Sequence, residues 1–117
     1  MKWKAIQNLQ AGILLLERGL ADGAANRLYY ALFQAAVFGL ERAGRTPREA
    51  RPGAKVWDHR IVGDRIVSVR GLHEDGRLFR RMRDLREIAD YDSRPVDRRK
   101  VESWKHDVGR FVGDVTT

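Results

Sequence analysis

The sequence predicts an all-α fold, a single-domain antiparallel bundle of about five helices over residues 1–117. Three observations predict it. Apolar residues step by three and four along almost the whole chain, the period of helices that each bury one face. The stretch 24–40 is apolar on nearly every side, which suits a helix at the middle of a bundle or at a subunit interface. Only Arg65–Arg70 alternates as a strand would, and a lone short strand has no partner to pair with. A chain of 117 residues buries one hydrophobic core and is too short for two.

In chain order, Ile6, Leu9, Ile13, Leu16 and Leu20 mark the buried face of a first helix from about Trp3 to Arg18. Gly19 and Gly23 bracket a short turn, with Asp22 placed to cap the next helix. That helix, Ala24 to Arg42, carries strongly polar residues only at Asn26, Arg27 and Gln34 before Leu40. Asn26, Tyr30 and Gln34 are spaced four apart with Arg27 beside them, so they form one narrow stripe. Such a stripe either supplies hydrogen bonds that orient the bundle or lines a polar cleft.

Residues 43–55 read as one long loop, punctuated by Gly44, Pro47, Pro52 and Gly53 and made basic by Arg45, Arg48, Arg51 and Lys55. Val62, Ile66 and Val69 then step as a third helix within 56–70. A fourth helix, about Arg77 to Tyr91, buries Leu78, Met82, Leu85 and Ala89 and displays Arg77, Arg80, Arg81, Arg83 and Arg86 on its other faces. The last helix opens near Pro95, whose fixed φ suits a first turn, and buries Val101, Trp104, Val108, Phe111 and Val115.

Composition narrows the chemistry. There is no cysteine, which excludes disulfides, thiolate metal sites and cysteine nucleophiles. The apolar runs are too short to span a membrane, and the start lacks the apolar stretch of a signal peptide, so the cytoplasm is the expected location. The net charge of +7 is uneven: residues 1–43 carry +2, residues 44–86 carry +6 and residues 87–117 carry −1. A basic middle segment attracts phosphate backbones or acidic protein faces.

His59, His73 and His106 lie on three different segments, so no metal-ligand spacing exists and no metal or other cofactor is expected. No phosphate-binding glycine loop is present, and Ser68, Ser93 and Ser103 lack a nucleophile elbow. One constellation remains, Arg86-Glu87-Ile88-Ala89-Asp90-Tyr91. Arg86 and Asp90 share a helix face at a spacing of four. On an open surface they form an ordinary ion pair; facing a cleft, Arg86 becomes an oriented guanidinium suited to phosphate.

The run from Arg27-Leu28-Tyr29-Tyr30-Ala31-Leu32-Phe33-Gln34-Ala35-Ala36 through His59 to Leu85-Arg86-x-x-Ala89-Asp90-Tyr91 resembles the HEPN domain of prokaryotes. The likeness is to its small stand-alone group and covers nearly the whole chain. It implies a HEPN-like helical bundle that forms a homodimer through helices including the central one. It also implies pairing with a small nucleotidyltransferase, often as a toxin–antitoxin module. Many relatives are metal-independent ribonucleases that use an Arg-x(4–6)-His motif. Here the corresponding positions after Arg86 hold Tyr91, Asp92 and Ser93. His59 matches a histidine of the group's third segment.

The resemblance therefore assigns Arg86 and His59 as catalytic candidates. RNA or nucleotide contacts fall to Arg27, Tyr30, Gln34, Arg83, Asp90 and Tyr91. Three functions are compatible with this pattern: a binding partner of a nucleotidyltransferase, an active endoribonuclease, or a non-catalytic adaptor whose basic face meets an acidic protein.

Overall fold

The computed structural model describes residues 1–50, 52–66, 76–91 and 95–117; the side chains of residues 49, 50, 76, 85 and 88–91 lie outside that description. The helices are α1 (Lys2–Glu17), α2 (Ala21–Arg42), α3 (Pro47–Ala50), α4 (His59–Arg65), α5 (Gly76–Tyr91) and α6 (Arg98–Thr116). No strand occurs among the described residues. Arg65 and Ile66, the start of the alternating run, continue the α4 helical turn, while residues 67–70, with Val69, lie outside the described residues.

The apolar second helix occupies the centre, where α1, α4, α5 and α6 pack around it. Ala24, Leu28, Ala31, Leu32, Ala35 and Leu40 are all fully buried by the chain's own helices. Most of the apolar surface that suggested a subunit interface is thus covered within one chain, while Tyr30, Phe33 and Phe38 stay half-buried. Small residues make this possible. Gly12 of α1 sits so close to α2 that an added Cβ would lie 2.8 Å from Leu28 Cγ, so the two helices touch nearly backbone to backbone at this level. From α5 the core takes Leu78, Phe79 and Met82, and from α6 Val101, Val108, Phe111, Val112 and Val115. Leu20, expected on the buried face of the first helix, is instead 56% exposed because the chain has already turned away.

Three boundaries differ from the sequence reading. α2 begins at Ala21, three residues early, so Gly23 lies inside the helix and only Gly19, at φ +77°, makes the turn. Asp22 does not cap α2; its carboxylate accepts a hydrogen bond from Val96 N at 2.9 Å and ties the 95–97 segment across the start of α2. α6 opens at Arg98, not Pro95, because Asp97 is its N-cap and accepts from Arg99 N at 2.9 Å. The 43–55 loop holds the one-turn helix α3, with Pro47 at its first position, where a missing N–H goes unfelt.

At the far end of the bundle, Arg42 of α2 donates from Nη1 to the carbonyl of Val115 at 3.1 Å, satisfying a free carbonyl in the last turn of α6. Among the described residues no helix is long and apolar enough to cross a membrane.

Candidate functional site

Three helices converge on one aromatic and cationic cluster. α2 contributes Tyr29, Tyr30 and Phe33; α4 contributes His59 at its first position; α5 contributes Phe79, Arg83 and Arg86. The α5 residues are spaced four and then three apart, so they share one stripe of the helix. Phe79, fully buried, packs 5.7 Å from the Tyr29 ring and 6.4 Å from Phe33. Two turns later Arg86 lays its guanidinium 5.1 Å from the Tyr29 ring centre and 5.7 Å from that of Tyr30. Its Nη1 also donates to the Tyr30 hydroxyl at 3.4 Å.

His59 is fixed from both sides. Asp58 caps α4 by accepting from Ile61 N at 2.8 Å, which sets where the helix starts and hence where His59 points. The imidazole sits 4.7 Å from the Phe33 ring and 5.2 Å from the Tyr29 ring, and its Nδ1 meets the Tyr29 hydroxyl in a short hydrogen bond. Burial, followed by the positive charge of Arg86, holds the His59 pKa below its ordinary value; Asp58 opposes this only in part. Burial likewise pushes the Tyr29 phenol well above its usual range, so it remains protonated.

The sign of a pH effect follows. Unfolded, His59 titrates near 6.5, and in the fold it titrates lower, so between the two values the unfolded chain binds more protons. This contribution is fully present above about pH 6.5 and is lost as pH falls toward the folded value. His59→Asn, which cannot charge, is expected to flatten the pH dependence of the urea midpoint in this window relative to the native chain. Parallel curves for the two proteins would contradict the coupling.

The residues singled out from the sequence fall into two groups. Arg86, His59, Tyr30 and Arg83 belong to the cluster, and Arg83 is near enough for its charge to act on both Tyr29 and His59. Its Nε is buried and has no hydrogen-bond partner among the described residues. Arg27 and Gln34 lie elsewhere. Arg27, exposed, donates to Asn8 Oδ1 at 3.2 Å, and Asn8 in turn donates to Gln34 Oε1 at 2.8 Å. This bridge pins α1 to α2, the bundle-orienting role open to the stripe. The side chains of Asp90 and Tyr91 lie outside the described residues, as do Asp92 and Ser93.

The sequence reading assigned no individual role to Tyr29, Phe33 or Phe79. One signal for Tyr29 was available: a phenol on the buried side of an apolar helix needs a hydrogen-bond partner, and such partners are polar residues brought from elsewhere in the chain. Among the described residues no group of three or more His, Asp or Glu side chains could hold a metal ion.

A search of curated proteins finds no match to the chain. The family model described as HEPN domain, by contrast, matches residues 1–116. With nearly every residue covered and a helical bundle beneath it, the chain belongs to the HEPN domain family.

Proposed function

We infer that this HEPN protein binds a phosphate of RNA or of a nucleotide at the α2–α4–α5 junction and acts as the partner of a small nucleotidyltransferase in a toxin–antitoxin-type module. The observation that carries the binding reading is the meeting of two arginines, Arg83 and Arg86, with Tyr30 and His59 on one aromatic floor. Guanidinium groups match phosphate oxygens in geometry and charge, and the tyrosine faces hold the Arg86 plane in place before any ligand arrives. The exposed Arg77, Arg80 and Arg81 on the same helix extend a positive field that would draw a polyanion to the site.

Binding is favoured over cleavage because of His59. Its Nδ1 is occupied by Tyr29, and the nearby Arg86 disfavours its protonated form, so it is poorly suited to shuttle a proton. A homodimer belongs to the same reading. Besides the half-buried Phe33 and Phe38 of α2, α1 offers it exposed Trp3 and Leu14, three turns apart on one face.

The test is single-stranded RNA binding by pure protein over a salt series, with the RNA inspected afterwards. Affinity is expected to fall linearly on a log–log plot, with a slope of about −0.7 per phosphate contacted, and the RNA is expected to stay intact. A flat salt dependence would remove the phosphate site. RNA cut in the presence of a chelator and spared by His59→Ala would replace this reading with that of an endoribonuclease.

A further inference from the structure

We propose that Tyr29 is a positioning residue that holds His59 as its Nε2–H tautomer, so that His59 offers the bound phosphate a hydrogen-bond donor instead of a base. The proposal rests on the phosphate-binding reading and deepens it by fixing the protonation pattern of the site. The argument begins with satisfaction of a buried group. Tyr29 is fully buried, and among the described residues its hydroxyl has one hydrogen-bond partner, His59 Nδ1. A buried phenolic proton with a single acceptor available goes to that acceptor. Nδ1 then holds a lone pair in use, and the neutral ring must carry its proton on Nε2.

The alternative tautomer fares worse on two counts. It would turn Nδ1 into a donor and leave the Tyr29 proton buried with nothing to accept it. A ring flip does not relieve this, because it exchanges Nδ1 for a carbon that cannot accept the Tyr29 proton. Protonating both nitrogens would place a second cation beside Arg86, and the lowered pKa of His59 agrees with that.

The result is a site made of donors. Arg83, Arg86 and His59 Nε2–H offer only hydrogen-bond donors, and Nε2 makes no hydrogen bond to the described residues. Such a set fits phosphate oxygens, which only accept. None of these three side chains accepts the proton of an attacking ribose hydroxyl, which cleavage would require. Tyr29 therefore separates retention of RNA from cutting it, although it touches no ligand itself.

Imidazole nitrogen spectra of the selectively labelled full chain, at about pH 7.5 where His59 is neutral, read the tautomer directly. The native protein is expected to show Nε2–H at His59. Tyr29→Phe, with helicity checked by circular dichroism, is expected to populate both tautomers and to weaken single-stranded RNA binding by about tenfold. An Nδ1–H ring in the native protein overturns the proposal, and that spectrum needs no variant to fold. An unchanged tautomer in Tyr29→Phe overturns it too, and a shifted tautomer with unchanged RNA affinity overturns the donor role. Should native protein bind no RNA while the spectra behave as expected, the functional reading fails and the Tyr29–His59 assignment stands.

Discussion

Phe79→Ala is expected to lower the free energy of unfolding by about 3–5 kcal/mol, the range for truncating a buried phenylalanine. The ring is fully buried, and it joins three helices at once: it stacks near Tyr29 and Phe33 of α2 and lies 3.4 Å from where a Cβ on Gly63 of α4 would sit. Gly63 has no side chain with which to fill the space left behind, so the hole cannot close cheaply. Domains of this kind are stable by only about 5–15 kcal/mol, and the loss would be a large share. Urea unfolding checks it, with Val56→Ala, at a residue 72% exposed, as a control expected to change stability by less than about 0.5 kcal/mol. A loss at Phe79 no larger than the control's would mean that α4 and α5 are not locked to α2 through this ring. Because α4 also carries His59, the imidazole signals should shift in the same variant.

Arg86→Ala is expected to weaken single-stranded RNA binding by about tenfold or more, whereas Arg80→Ala and Arg81→Ala are each expected to lower affinity less than threefold. The difference is one of placement, since all three residues carry the same charge on the same helix. Arg86 is half-buried, braced by two tyrosine faces and by the Tyr30 hydroxyl, so it meets a ligand already oriented. Arg80 and Arg81 are exposed, and their attraction is screened by salt within about 10 Å. Arg86→Lys adds a finer comparison: it keeps the charge, loses the planar fork and should fall between the native protein and Arg86→Ala. Equal losses from all three alanine variants would reduce the site to a diffuse basic face, and the adaptor reading would then be the better one.

The candidate site was legible only in part. Arg86 stood out because it belonged to a motif and His59 because it matched a family position, and the fold brings both to one aromatic cluster. Arg27 and Gln34 stood out on the same stripe of α2, yet they turn toward α1 and Asn8. A stripe along a helix fixes which side chains are neighbours, but the helices packed on either flank decide what each one meets. Tyr29 was invisible as a functional residue for the opposite reason: its neighbours in sequence are core residues, and its partner is thirty positions away.

The sequence by itself determined the helical class, the central place of the second helix and the buried face of α6. All three follow from the spacing of apolar residues, a local property that burial rewards wherever the helix packs. Tertiary structure decided the rest. Asp22 had a side chain fit to cap its own helix and was taken by Val96 N, from a segment more than seventy residues later. The start of α6 at Asp97 over Pro95 is the local exception, a side-chain acceptor satisfying a free N–H two residues on. Most of the apolar surface of α2, which suggested a second subunit, was covered by four helices of the same chain, and Gly12 lets α1 approach closely. The outcomes at Asp22 and at α2 depend on groups distant in sequence, and only folding brings those groups together.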